Sequence, residues 1–307
     1  MFSLNNFILW GQGPENNYPI PKIIWIYWDP IKDSLLVDIC IKQIQILHPD
    51  YKVNIINENT VSYFLKNLPE RNNDLPFANY SDIIRLALLE KYGGIWIDAS
   101  ILITKNLDWI IENEYKTDLI GFFADFITTN LNFPVLENWL LAASKNNSFI
   151  RDWYQEYLTC YTSDHPKTYY QDIPEEWLQG MDENLAEYLL PYISAIKIMR
   201  TNNHYRLLMY SANHYAHYYN FKLKLKPHQL AEEFLLKKNA ECHLPLVKFE
   251  KRGREMTDEY INNGLLSRKS LLYRLSSQPS KKYISLKYKL HYVWYIVNNL
   301  LKKITTR

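Results

Sequence analysis

The run Lys22-Ile23-Ile24-Trp25-Ile26-Tyr27-Trp28 is aliphatic or aromatic at every position after the first, follows two prolines and stops at Asp29-Pro30. Such a run, punctuated at both ends, predicts a buried strand. Helical spacing then extends from Ser34 to Leu47 and stops before Pro49, and Tyr51 to Ile56 reads as a second strand. Strand, helix and strand in that order predict a βαβ unit. Further helices are expected at about 60–68 and 81–92, the second ended by Gly93-Gly94, with a strand from Ile95 to Ile103 broken by Asp98-Ala99-Ser100. Beyond these lie a strand at Leu119 to Ala124 and helical patterns at 135–145, 150–160 and 183–190. The alternation predicts an α/β fold. Ser276 to Ser280 is the clearest linker, and after it Leu286, Leu290, Val293, Val297, Leu300 and Ile304 recur at steps of three and four, an amphipathic helix. The expected organisation is one α/β domain over 1–265 and a basic helical tail over 266–307.

Composition, charge and missing motifs refine this picture. The chain is 47% hydrophobic and 22% charged, ordinary for a globular protein. Its 25 Tyr and nine Trp are a heavy aromatic load, of a kind used to grip sugars or bases and also to fill cores. Cys40, Cys160 and Cys242 form no paired framework, so a reducing compartment is expected. The first twenty residues lack a basic start followed by an apolar run, and no apolar stretch is long enough to cross a bilayer, so a cytoplasmic protein is expected. The net charge of +2 conceals an asymmetry: no acidic residue follows Glu259, while ten Lys and Arg do, leaving the part up to Glu259 at −8. G-x-G-x-x-G, Walker and G-x-S-x-G motifs are missing, which removes the commonest dinucleotide, NTPase and esterase readings.

Candidate chemistry concentrates in residues 81–100. The expected helix is apolar around most of its circumference, yet carries Asp82 and Arg85 three residues apart on one face. Either the two form an internal ion pair that fixes the helix, or both reach a polar ligand. Gly93-Gly94 lets the chain turn sharply and pass close to another group. Asp98 falls at the end of the following strand, where α/β sheets collect ligands, although Asp-Ala-Ser is also an ordinary turn.

Together, the string S-D-I-I-R-L-A-L-L-E-K-Y-G-G-I-W-I-D-A-S, the opening P-K-I-I-W-I-Y-W and the segment H-P-D-Y-K-V-N-I-I-N-E-N resemble the capsular polysaccharide synthesis proteins. These are related to the DXD-sugar glycosyltransferases that include yeast α-mannosyltransferases and the clostridial glucosylating toxins. The resemblance is strong from Pro21 to Thr104, thins to scattered matches such as Pro134-Val135-Leu136-Glu137-Asn138-Trp139 as far as Arg254, and is absent from the tail. It implies a GT-A-like fold, a Rossmann-like mixed sheet flanked by helices. It also implies a nucleotide-sugar donor, commonly UDP-linked, a divalent cation, Mn²⁺ or Mg²⁺, and transfer of a hexose with retention to an oligosaccharide or lipid-linked saccharide acceptor.

By that likeness Asp82 and Arg85 hold the donor sugar, and Asp98 is the first carboxylate of the D-x-D motif; these three are the expected catalytic residues. Gly94, Ala99 and Ser100 line the same donor site, and Trp25, Tyr27 and Trp28 lie near the base. Ser100 departs from the family pattern, standing where a second metal-binding Asp is usual, and a hydroxyl is the weaker ligand for a hard cation. Asp98 and Ser100 remain the expected metal pair, with Glu137, Asn138 or Asp258 as replacement ligands. Lys248, Arg252 and Arg254 are either a clamp for the diphosphate on a C-terminal loop or a solvated basic loop. Asn138 and Trp139 either face an acceptor or are a helix-start Asn and a core Trp. His214 and His217, three apart, have no acidic partner at metal-ligand spacing.

The tail combines an apolar stripe, aromatic residues and lysines, as does a helix lying on an anionic membrane, and a peripheral place on the inner face of the cell membrane is expected. The same helix packing its stripe against the catalytic domain is the other reading. Nothing else in the chain supports nucleic-acid binding. Two rival functions are a capsule-pathway sugar-phosphate transferase and a non-catalytic scaffold.

Overall fold

The chain forms β1 (Phe7–Trp10), β2 (Ile23–Tyr27), α1 (Leu35–Leu47), β3 (Lys52–Ile56), α2 (Phe77–Tyr92), β4 (Gly94–Ile97), β5 (Ile101–Ile103), α3 (Asp108–Ile111) and β6 (Leu119–Phe123). There follow β7 (Leu136–Ala143), α4 (Ser148–Tyr161), α5 (Leu190–Thr201), β8 (Leu207–Ser211), α6 (Pro227–Leu235), β9 (Leu246–Lys248), α7 (Lys251–Asn262), α8 (Leu271–Leu275) and α9 (Leu286–Thr305). This computed structural model describes residues 6–28, 33–112, 116–239, 241–276 and 286–305. The expected strand end at Asp29-Pro30, the linker beyond Ser276, and Lys281, Lys282 and Arg307 lie outside the described residues.

Two compact units are present: Met1–Lys32 with Leu47–Ala99 and Asn106–Ala216, and Asp33–Ile46 with Ser100–Lys105 and His217–Arg307. The boundary therefore differs from the expected one at 265. Residues 217–265 group with the tail because α6, α7, α8 and α9 share one apolar core with α1 and β9.

The first unit is built on a seven-stranded sheet in the order β1-β8-β6-β7-β4-β2-β3. β2 pairs in parallel with β3 and β4, and β6 with β8, while β7 runs antiparallel to β4 and β6, and β1 to β8. The carboxyl ends of β2, β3, β4, β6 and β8 and the start of β7 thus share one edge, where open α/β sheets bind ligands. β7 corrects the helix expected at 135–145. All eight of its residues are buried, and a run buried on both faces shows no alternation to separate strand from helix. The helix expected at 60–68 is reduced to a single 3₁₀ turn at Val61–Tyr63, and 183–190 to another at Glu183–Leu185.

α2, α4 and α5 pack together on this core. Asn79 Nδ2 donates to the Tyr157 hydroxyl at 3.0 Å, and Trp153 Nε1 donates to the Pro191 carbonyl at 2.8 Å. These bonds satisfy polar groups that burial would otherwise leave costly; the first ties α2 to α4 and the second α4 to α5. Gly93 and Gly94 take φ of +65° and +98°, and a Cβ on Gly94 would lie 2.5 Å from the Ile23 carbonyl oxygen. The close approach expected of the double glycine is therefore made to β2.

In the second unit β5 pairs antiparallel with β9. Asp258 on α7 holds the start of α1, accepting from Leu36 N at 2.9 Å and from Ser34 Oγ at 2.6 Å. α9 packs inward through Tyr288, Tyr292 and Tyr295. His291 Nε2 lies 2.9 Å from Glu232 Oε1, and the Tyr288 hydroxyl donates to Glu259. Among the described residues no helix is long and apolar enough to cross a membrane.

Candidate functional site

The expected helix face and strand end meet. Arg85 donates through Nη1 to Asp82 Oδ1 and through Nη2 to Asp98 Oδ1 at 3.0 Å. Its guanidinium also lies over the Trp96 ring, 4.7 Å from the centroid, and Trp96 Nε1 donates to Asp98 Oδ1 at 3.1 Å. The helix–Gly-Gly–strand connection explains this: α2 and β4 fold back on each other, so side chains thirteen residues apart converge. The internal ion pair of the first reading is present and extends to the strand-end carboxylate.

β7 supplies the far wall. Asn138 Nδ2 donates to Asp82 Oδ1 at 3.0 Å. The Tyr192 hydroxyl, on α5, lies 3.0 Å from Glu137 Oε2 and 3.1 Å from Asn138 Oδ1. Asp82, Arg85, Glu137, Asn138 and Tyr192 are all buried, whereas the Asp98 side chain is 28% exposed. Asp98 is thus the member presented to the outside, held by Arg85 and Trp96.

Burial works against the charge on Arg85, but the Asp82 and Asp98 carboxylates outweigh it and keep the guanidinium pKa above its usual value. Burial, followed by the Glu137 charge, raises the Tyr192 hydroxyl well above the ordinary tyrosine range, so it stays a donor. Tyr188 is 45% exposed, yet its hydroxyl is pushed up by burial and then by the charges of Asp82 and Asp98. Sequence reasoning missed Tyr188 and Tyr192, which no spacing ties to Asp82; the dense tyrosine content was the sole signal.

Several expected residues stand elsewhere. Trp25 is 2% exposed, donates from Nε1 to the Gly93 carbonyl at 2.9 Å and packs on Phe64 and Tyr92, which leaves no face for a base. Tyr27 is buried against Phe77; Trp28, at the end of β2, is half-buried. Gly94 begins β4 and Asp98 follows its end, so at about 3.3 Å per residue the two mark opposite edges of the sheet. Gly94 is therefore a packing position. Ala99 is buried in the turn after β4, and Trp139 stacks on Phe122 in the core.

Ser100, Lys248 and Arg252 belong to the second unit. The Ser100 carbonyl accepts from Phe249 N at 3.1 Å. Lys248 ends strand β9, and Arg252 and Arg254 are in the first turn of α7, so the expected loop is regular structure. Asp258 is committed to the start of α1, and Glu137 and Asn138 are held by Tyr192 and Asp82, which leaves none of the three pointing out as a replacement metal ligand. His214 Nδ1 is 2.7 Å from Ser211 Oγ, which donates to Asp125 at 2.6 Å. Among the described residues no cluster of three or more His, Cys, Asp or Glu side chains is placed to hold a metal ion. Asp98 fits a divalent cation only in the manner of a Mg²⁺ site, one carboxylate completed by substrate phosphates and water.

Comparison with known proteins places this arrangement in a family. The O-glycosyltransferase braB of Annulohypoxylon truncatum is 26% identical over 162 residues, 45% of this chain and 38% of that one, so the match spans well under half of that relative's length. Among solved structures, the PaToxG glycosyltransferase is 17% identical with a TM-score of 0.35, covering 61% of this chain and 81% of that one. The galactosyltransferase LgtC, in complex with donor and acceptor sugar analogues, is 10% identical with a TM-score of 0.40, covering 84% and 97%. Residues 12–173 match the family described as capsular polysaccharide synthesis protein, a segment that carries Asp82, Arg85, Asp98, Glu137 and Asn138. With more than half of its residues inside that match, the chain belongs to the capsular polysaccharide synthesis protein family.

Proposed function

We propose that this protein is a glycosyltransferase of capsular or surface polysaccharide synthesis, moving a hexose with retention from a nucleotide sugar, UDP-linked, to a saccharide hydroxyl. The observation that carries the reading is the Asp82–Arg85–Asp98 chain of bonds, which aims one partly exposed carboxylate outward from the ligand-binding edge of the sheet.

In the reaction the bond from the anomeric carbon to the diphosphate oxygen breaks, the acceptor oxygen bonds to that carbon, and the acceptor proton is released. Negative charge grows on the leaving oxygen and positive character on the anomeric carbon. Two carboxylates against one guanidinium leave the trio negative, so a diphosphate approaches it only together with a cation. A divalent cation bound there, Mn²⁺ or Mg²⁺, would neutralise the leaving diphosphate. Asp98 is the residue that would hold it and the donor ribose. Asp82 and Arg85, each almost sealed from solvent, act chiefly by fixing Asp98, with the Arg85 edge left to meet the sugar. Tyr188, 45% exposed and within the electrostatic reach of Asp82 and Asp98, takes the place near the base expected of Trp25. The reducing interior of the cell, where nucleotide sugars are made, suits the three free cysteines.

The test is a screen of nucleotide sugars with Mn²⁺ for thermal stabilisation, followed by product analysis. The expected product is a nucleoside diphosphate. Release of a nucleoside monophosphate assigns the chain to sugar-phosphate transfer instead, and the lack of any metal-dependent donor binding makes it a scaffold.

A further inference from the structure

α9 has two faces, and the structure settles which is covered. Tyr288, Tyr292 and Tyr295 belong to the core of the second unit, and His291 meets Glu232 and Tyr260 there. Four members of the stripe singled out in the sequence point the other way, while the side chains of Leu300 and Ile304 lie outside the described residues. Leu286, Leu290, Val293 and Val297, joined by Leu301 and with Trp294 at the margin, are between 46% and 73% exposed. At 3.6 residues per turn the five aliphatic positions fall within about 80° of one another, roughly opposite Tyr288 and Tyr295. Lys287 and Lys289, both exposed, fall on the two borders of that stripe.

A continuous exposed apolar stripe of this length marks an interaction surface, because water pays no compensating attraction for it. We propose that α9 lies in the headgroup region of an anionic lipid bilayer, its aliphatic stripe buried among the upper acyl chains and its lysines on lipid phosphates. Charge selects this occupant. No acidic residue follows Glu259, while ten basic ones do, so the tail complements a negative surface. A second copy would bring the same bordering lysines against each other, a repulsion that a lipid phosphate turns into attraction. The helix lies on the bilayer and does not cross it, since at 20 residues it is long enough but not apolar enough. Its tyrosine face moors the second unit to the surface.

The experiment is sedimentation of the full chain with phosphatidylcholine vesicles, alone or with about a quarter phosphatidylglycerol, at two salt concentrations. The expected result is binding to the anionic vesicles that weakens as salt rises, and little binding to the neutral ones. A Leu290→Ser/Val297→Ser variant and a Lys287→Gln/Lys289→Gln variant should each bind at least about tenfold more weakly. Both alter exposed positions, and circular dichroism of each should match the parent chain. Equal binding to neutral vesicles, no binding to anionic ones, or unchanged binding by both variants overturns the proposal. So does a parent chain that is dimeric without lipid and becomes monomeric in the serine variant, since the stripe would then join two copies. None of these readouts depends on transferase activity.

Discussion

Arg85 bridges Asp82 on its own helix and Asp98 beyond the next strand, donating to one through Nη1 and to the other through Nη2 at 3.0 Å. One planar guanidinium can serve two carboxylates in this way because its donors form a rigid fork, which a lysine ammonium lacks.

Arg85→Ala should therefore lower both stability and turnover. It strands Asp82, which is buried, without its cation, at a cost of about 3–5 kcal/mol. Arg85→Lys should regain part of the stability but stay well below the parent in turnover, because a single point charge cannot orient Asp98 as well as neutralise Asp82. Urea unfolding and donor turnover, measured on both variants, check this.

Tyr188 and Trp25 should separate cleanly. Tyr188→Ala alters a residue that is 45% exposed and should raise the donor KM several-fold with little change in unfolding midpoint. Trp25→Ala empties a core position and should cost about 3–5 kcal/mol. Loss of donor affinity in a folded Trp25→Ala protein, with Tyr188→Ala unaffected, would return the place near the base to Trp25.

Gly94→Ala should destabilise the fold without touching donor contacts. Its φ of +98° is strained for any residue with a Cβ, and that Cβ would meet the Ile23 carbonyl oxygen at 2.5 Å. A loss of about 1–3 kcal/mol is expected from thermal or urea unfolding.

His217 supplies a pH dependence. Burial, with Lys248 adding to it, pushes its pKa down to about 3 from the ordinary 6.5. Between those values the unfolded chain binds a proton that the folded chain does not. Its contribution to stability is therefore fully present above pH 6.5 and is lost as the pH falls towards 3, at up to about 1.4 kcal/mol per pH unit. A His217→Gln variant should show a shallower acid limb than the parent in unfolding experiments across that window.

How far these features were legible in the sequence depended on the range of the interaction. β2, α1, β3 and the turn at Asp98 follow from local runs and punctuation, and they appear where expected. The Asp82–Arg85 relation is set by helical spacing, and the contact with Asp98 by a short connection. β7 was misread because all its residues are buried, so no period distinguishes it. Tyr192 reaches Asn138 and Glu137 over more than fifty residues of chain, a pairing that only the packing of α5 on the sheet creates. The close approach at Gly93-Gly94 was inferred, but the group that Gly94 approaches, the Ile23 carbonyl, is invisible in the sequence, and the family likeness had placed Gly94 in the donor site instead. The outward stripe of α9 was likewise read as a stripe, but which face packs inward was decided by Tyr288, Tyr292 and Tyr295.

The central claim is that Asp98 is the outward-facing carboxylate that engages donor and cation, fixed from behind by Arg85. Calorimetric titration of UDP-sugars in the presence of Mn²⁺, with Asp98→Asn beside the parent chain, tests it most directly. The account predicts metal-dependent donor binding by the parent, its loss in Asp98→Asn together with turnover, and the same unfolding midpoint in both. Metal-dependent binding and turnover retained by a folded Asp98→Asn protein would contradict it.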